Sequence, residues 1–496
     1  MTKQQYWVVA VIAALSVFIG VGVALLITSG DDKPEAIQIG PTTSTRPPAT
    51  TLAPITTPST TVTTVAPPVT QGTITPGTTV VIPPSTSATT RPPPTTQPPP
   101  TTQPPPPTTQ APDTTTTSTP DRDTDVGITD DEIRLAVIAD DAAAFEGMTA
   151  WRTLVNRRGG LADRRVELDL LETGGSAEGY ADAVETACER DFAIVGSHSV
   201  FDAAADALGC AVIPDLPVEA FDDGHATAST TFAAFPRQPG IEAIGPYKWL
   251  LENTPGCCSQ FVLVPDADPA RARTLRTIEA AVAAGFTTTG TTDVADSDDA
   301  ARYAEIVDQI ETGAATFVAS GLGAGSTQLL RAAAADRAPD VAVWFCDARC
   351  YDADFAADGG EVVEGQLVAV ETALLSDRSE IPALRSYVRS SNRAGNDPSY
   401  EGLRAFVAGA LFESAAGRVI DAHGENGLTR VRLFDALAGI QNFTAGGIVG
   451  PTDVASGTPN GCYVLTALEE GRFTRVNPAD KAVIHCGAQN LVELGA

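Results

Sequence analysis

The chain has 496 residues, 43% of them hydrophobic, with 37 prolines and a formal charge of −30. That length has room for about three domains. The acidic balance argues against a nucleic-acid partner, which needs a basic face to meet phosphate. At the N-terminus, residues 7–28 (WVVAVIAALSVFIGVGVALLIT) carry no charge. At about 1.5 Å rise per residue the run is long enough to span a bilayer core. It predicts a transmembrane anchor over residues 1–29. The rival is a signal peptide, whose apolar stretch is normally only about 7–15 residues and ends at a small-residue cleavage site. Lys3 before the run and Asp31 and Asp32 after it place the N-terminus inside. The working part of the chain is then expected at the cell membrane, on its extracytoplasmic side.

Residues 30–123 read as a linker. From 41 to 122 they are almost all Thr, Pro, Ser, Gln and Val. Such a composition cannot bury a core and is expected to stay disordered. Pro-rich chain extends about 3.1 Å per residue, so the segment reaches about 250 Å if stiff.

The pattern changes after Asp123. EIRLAVIAD (132–140) is a compact apolar run suited to a buried strand. Met148, Trp151, Leu154 and Val155 then fall at helical spacing, and Gly159-Gly160 is a helix stop. RRVELDLLET is strand-like, and SAEGYADAVETACER is a helix with Ser176 as its N-cap. FAIVGS reads as a strand, FDAAADALG (201–209) as a helix and CAVIP (210–214) as a strand. EAIGPYKWLLENTPG is a helix at a crossing point. A second alternating set follows, with strands at FVLVPD, FTTTGTTDV, TFVASG and VAVWFCD and helices between them. Beyond EGQLVAVETAL come helices near 380–392, 399–420 and 428–439, then two short strands around a Glu-Gly turn. Strands alternating with helices at this spacing predict an α/β fold with parallel sheets.

All eight cysteines follow the linker. An extracytoplasmic setting permits disulfides. Proximity favours Cys188 with Cys210, Cys346 with Cys350, and Cys462 with Cys486, leaving Cys257 and Cys258 without obvious partners. Zinc in CDARC is disfavoured because no second ligand pair sits at metal spacing. No metal and no cofactor is expected. GLGAG (321–325) lacks the full dinucleotide-binding glycine spacing.

GITDDEIRLAVIAD, LVNRRGGLADRRVELDLLE with Asn156, Gly159, Gly160 and Arg164 or Arg165, then AIVGSHS and AVIP, and late in the chain SYEGLRAFVAGALFESAAG and LEEGRFTRV, stand in order over about 126–476. This series resembles the type I periplasmic solute-binding proteins of the branched-chain amino acid (Leu/Ile/Val-binding) family. The resemblance implies a two-lobed clamp, each lobe a parallel sheet flanked by helices, with three crossing strands. Lobe 1 would be 124–245 with 376–452, and lobe 2 would be 246–375 with 453–496. It implies capture of a small-molecule ligand (an amino acid, amide or short organic acid) by lobe closure, without catalysis, for uptake through an ABC permease. A membrane-tethered surface sensor or adhesion module on the same fold is the alternative.

The Gly-Ser-His-Ser corner at 196–199 also raises a serine hydrolase. The Gly that should follow the nucleophile is missing, and an adjacent His rarely serves as its base. An ordinary turn, with Ser199 or Asp202 capping the next helix, is the plain reading. If that helix forms, its free amides with Ser197 and Ser199 suit an anion. In the resembled family this loop meets the ligand's α-carboxylate, which makes Ser197 and Ser199 the first candidate contacts. The resemblance also points to Phe145 as a cleft aromatic, although ADDAAAFEGM lacks the usual Ser-Gly-Pro, and to Asp347 as the acid meeting an ammonium. Leu216, Asp266 and Ser320, on other loops at the carboxyl ends of strands, complete the candidates.

Overall fold

The structure, a computed structural model, describes residues 124–495 apart from 267–269, 296, 336 and 338. The expected anchor and linker lie outside the described residues. Among the described residues no helix is long and apolar enough to cross a membrane. β1 (Glu132–Ala139) is buried almost throughout because it is an inner strand, flanked by β2 (Arg165–Glu172) and β3 (Ala193–Val195). With β4 (Asp215–Leu216) they form a parallel sheet of order β2-β1-β3-β4. Inner parallel strands are covered on both faces, which is why this one reads as an unbroken apolar run.

α1 (Ala142–Arg157) starts where the Asp141 carboxylate accepts the Ala144 N–H, and it buries Met148, Trp151 and Val155. Ser176 caps α2 (Ala177–Arg190) by accepting the Gly179 N–H at 3.1 Å. Two short elements follow, α3 (Asp223–Thr227) and β5 (Ile241–Ala243). The second alternating set runs α4 (Gly245–Asn253), β6 (Ser259–Pro265), α5 (Ala270–Ala284), β7 (Thr287–Val294), α6 (Ala300–Thr312) and β8 (Phe317–Ser320). It continues through α7 (Ala324–Ala335), β9 (Val343–Cys346), α8 (Ala353–Gly359) and β10 (Leu367–Val370). Then come α9 (Pro382–Ala394), α10 (Tyr400–His423), α11 (Arg430–Leu437), β11 (Val464–Glu469), β12 (Arg472–Asn477) and β13 (Leu491–Glu493).

The second sheet has the order β12-β11-β10-β9-β8-β6-β7. Five of its strands are parallel, but β11 and β12 join antiparallel at one edge, so this sheet is mixed rather than wholly parallel. The two-residue turn between β11 and β12 is Glu470-Gly471, both at positive φ (51° and 69°). Paired positive φ values suit the twist of a tight hairpin. β13 and β5 pair antiparallel as a separate two-stranded ribbon.

Two groups of cores divide the chain out of sequence order. One takes residues between Ile128 and Phe235 and returns for Ala373 to Val454, with Trp151 edge-on to Phe412 at 6.0 Å. The other takes Ile244 to Val370, with Leu374, Tyr400, Tyr463, Val464, Leu465 and Leu468.

Two expected elements do not form. Residues 201–209 are turns, not a helix. The Asp202 carboxylate is drawn across the chain to the N–H groups of Phe221 (2.7 Å) and Asp222 (2.9 Å), and Gly209 sits at φ +93°. A residue so engaged cannot also cap a helix. Residues 210–214 are not a strand: Val212 is 60% exposed, and pairing with β3 is made instead by Asp215 and Leu216. The sulfurs pair as Cys188–Cys210, Cys346–Cys350 and Cys462–Cys486, and also Cys257–Cys258, the two residues that proximity left over.

Candidate functional site

The carboxyl ends of strands from both sheets face one cavity of about 260 Å³. From the first sheet's side, the segment after β4 supplies Glu219 and Phe221. Its backbone is bolted down. The Val218 N–H donates to the Ser197 carbonyl, and Arg237 Nη1 donates to the carbonyls of Ala220 (3.1 Å) and Phe221 (2.9 Å). Behind it, the fully buried His225 ring bridges Asp202 (2.7 Å) and Asp215 (2.8 Å). Burial opposes a charge on this ring, but the two carboxylates outweigh it and raise its pKa to about 10. An imidazolium therefore pins the start of β4 to the turn that follows β3.

α10 contributes Glu401 and Arg404. Ser399 caps the helix by accepting the Gly402 N–H at 3.0 Å. The Arg404 guanidinium lies over the Phe235 ring, 4.7 Å from its centroid, and donates to Glu401 (3.1 Å) and Glu219 (2.6 Å). Glu371 Oε2 is 3.8 Å away. His198 Nδ1 lies 3.1 Å from Asp141, Nε2 lies 4.0 Å from Glu401, and the ring stands 5.4 Å from that of Phe221. Burial works against its charged form, yet Asp141 and Glu401 raise its pKa above the ordinary histidine value.

From the second sheet's side come Tyr247 of α4, Val262 of β6, Arg273 of α5, Ala319 and Ser320 at the end of β8, Phe345 of β9, and Asp347 and Arg349. The Asp347 carboxylate caps its own turn, accepting the Arg349 N–H (3.0 Å) and pairing with that guanidinium. The Cys346–Cys350 bridge closes the same turn. Arg273 Nη1 reaches Glu219 at 2.5 Å, and its guanidinium lies 5.6 Å from the Phe221 ring centroid. Glu219 thus sits between Arg404 of α10 and Arg273 of α5. Burial would raise its carboxyl, but Arg273, Arg404 and Arg237 together hold it down to about 2. Around this charged knot the cavity wall is largely apolar, formed by Tyr247, Val262, Ala319 and Phe345.

Such an arrangement can enclose a small molecule with an apolar body and a charged end. The corner at 196–199 assembles no nucleophile–base pair. The Ser197 hydroxyl is buried and accepts the Ile138 N–H, while both His198 nitrogens face carboxylates.

The periplasmic binding protein family matches residues 138–472, more than half of the chain. The chain belongs to this family. No curated protein matches the chain in sequence. Solved structures share the α/β fold of this chain at low identity. A branched-chain amino acid ABC transporter protein from Thermus thermophilus with bound valine superposes with a TM-score of 0.58 at 15% identity, over 70% of this chain and 95% of that one. A fatty acid ABC transporter substrate-binding protein from Thermomonospora curvata gives 0.56 at 17%, over 71% and 93%. A putative branched-chain amino acid ABC transporter from Rhodospirillum rubrum gives 0.52 at 18%, over 70% and 99%.

Of the residues singled out from sequence, Ser320 and Asp347 line the cavity of this family member. Ser320 is buried, with its hydroxyl 2.9 Å from that of Thr327. The others lie elsewhere. Ser199 accepts the Phe201 N–H, Leu216 is fully buried in the first core, Phe145 packs partly buried against that core, and Asp266 is exposed beside its undescribed neighbours. Because no helix follows the corner, it offers no row of free amides. Sequence reasoning missed Glu219, Phe221, Tyr247, Arg273, Glu401 and Arg404, and left His198 at the rim. One signal was available: Arg404 interrupts the apolar face of Leu403, Phe406 and Val407, and a charge placed there is buried and must be paired.

Proposed function

We propose that the protein captures a small polar solute between two lobes, 124–245 with 376–452 and 246–375 with 453–496, and delivers it to an ABC permease without chemical change. The cavity at the carboxyl ends of strands from both sheets carries this reading, since ligands of open α/β sheets bind there. Family membership supports it, as do the structural neighbours, which are ABC transporter proteins for amino acids and fatty acids. The apolar run at 7–28 and the Pro/Thr-rich segment would tether the lobes outside the membrane. Ser320 and Asp347 are proposed contacts. In a thermal-shift screen of the full chain against amino acids, amides and organic acids, a true ligand raises Tm through RT ln(1 + [L]/Kd). A broad panel with no shift rejects the reading.

A further inference from the structure

The charges in the cleft are already paired, and the pairing crosses it. Glu219 is 3% exposed and contacts a guanidinium on each side. Its two partners are not equivalent. Arg404 is on the same side of the cleft as Glu219, since Leu403 and Ala405 beside it and Val218 beside Glu219 share the first core; its side chain is 6% exposed and also donates to Glu401. Arg273 stands on α5 across the cleft with its side chain 41% exposed, and among the described residues Glu219 is the one carboxylate within ion-pair distance of it. A second link crosses nearby: Arg276, also on α5, lies 3.7 Å from Asp223.

Separating the two sides therefore has an asymmetric effect. Glu219 keeps Arg404 and stays neutralised. Arg273 loses its carboxylate and its place beside Phe221, and faces the open cleft as an unpaired guanidinium beside the apolar walls of Tyr247, Val262 and Phe345. A planar guanidinium is complementary to a carboxylate, which it binds in a fork. We propose that Arg273 is a carboxylate receptor with two occupants: Glu219, which latches the empty lobes shut, and the carboxylate of an apolar-bodied organic acid, which replaces Glu219 when solute enters. The latch makes the empty closed form a competitor of the open form that ligand must enter, so latch strength sets the apparent affinity.

The ligand half of this proposal rests on the solute-capture reading; the latch half does not. The test uses the full chain with a fluorescent donor and acceptor on non-natural residues at Glu189 and Glu311, one on each side of the cleft. Without ligand, the wild type populates mainly the shorter distance. Arg273→Gln moves the population to the longer one, and Arg273→Lys reverses part of that shift by returning the charge without the fork. An unchanged far-ultraviolet dichroism spectrum checks that Arg273→Gln keeps the fold. Equal distances in wild type and Arg273→Gln overturn the latch. Hexanoate, hexylammonium and hexanol then probe the ligand class by thermal shift. The proposal expects a Tm rise with hexanoate in wild type, lost in Arg273→Gln, and none with hexylammonium. A hexanoate shift that survives Arg273→Gln, or no hexanoate shift at all, overturns the carboxylate assignment. A Tm rise from any compound of the broader screen would then leave solute capture standing.

Discussion

Asp191, at the end of α2, is fully buried, and neither of its carboxylate oxygens accepts a hydrogen bond. Burial, with the charge of Asp169 adding to it, raises its pKa to about 7 against the pull of Arg134, Arg190 and Arg430. The sign of the linkage follows. Between about pH 4 and 7 the folded protein holds a proton that the unfolded chain has released, so this residue lowers stability as pH rises through that window. Asp191→Asn removes the titration. Its Tm should exceed that of the wild type at pH 8 by a few degrees, and the difference should vanish near pH 4. A pH-independent difference would mean that Asp191 acts by packing alone. The same scale explains why so little of the site was legible. Ser320 could be picked because it stands at the end of an apolar strand, where ligands gather, and Asp347 because the family resemblance points to an acid there. Glu219 and Arg273 owe their roles to one another, 54 positions apart by their numbers and across a cleft, and no local pattern records that pairing.

At the scale of elements, α1 and α10 meet with almost nothing between them. A Cβ on Gly147 would lie 2.0 Å from the Gly402 carbonyl oxygen, and one on Gly409 would meet the Trp151 ring at 2.6 Å. Backbone cannot yield as a long side chain can, so Gly147→Ala must push the helices apart at a cost of about 1–3 kcal/mol. Gly417, on the same α10, has open space around its Cβ position. Gly417→Ala should therefore gain roughly 0.5–1 kcal/mol from helix propensity. Urea denaturation of both variants checks the contrast. Equal effects would show that the close approach contributes nothing. Elements were the most legible level of this chain. β1, β6 and β8 announce themselves as apolar runs because they are inner strands, and α1, α2 and α10 carry side-chain caps at Asp141, Ser176 and Ser399. The failure at 201–209 is equally physical. Its alanines favour a helix, but Asp202 is held by the segment at 221–225 and Cys210 by Cys188, and tertiary bonds override propensity.

At the scale of the whole molecule, the two core groups are interleaved along the chain. The first sheet is complete by Leu216, yet much of the apolar cover of its core arrives with α9, α10 and α11, which set Phe412 against Trp151 and Phe192 and bring Leu384, Leu403 and Leu433 into the same core. Between these stretches the chain builds most of the second sheet, and it returns there once more for β11 and β12. Each sheet therefore waits for residues that lie beyond the other. Contacts of such sequence separation are slow to form, because loop-closure entropy is lost before they stabilise anything. A chain ending at residue 372 retains every parallel strand but lacks the cover of α1, leaving Trp151 and Met148 facing solvent. Burying a side chain of that size contributes about 1.5–3 kcal/mol, and several are lost together. Net stabilities are only about 5–15 kcal/mol. The 124–372 fragment should therefore show no cooperative thermal transition and no near-ultraviolet dichroism from its buried tryptophan, whereas the full chain should show both. A sigmoidal transition in the fragment, with Trp151 shielded from quenchers, would mean that the first sheet closes its core without its late helices.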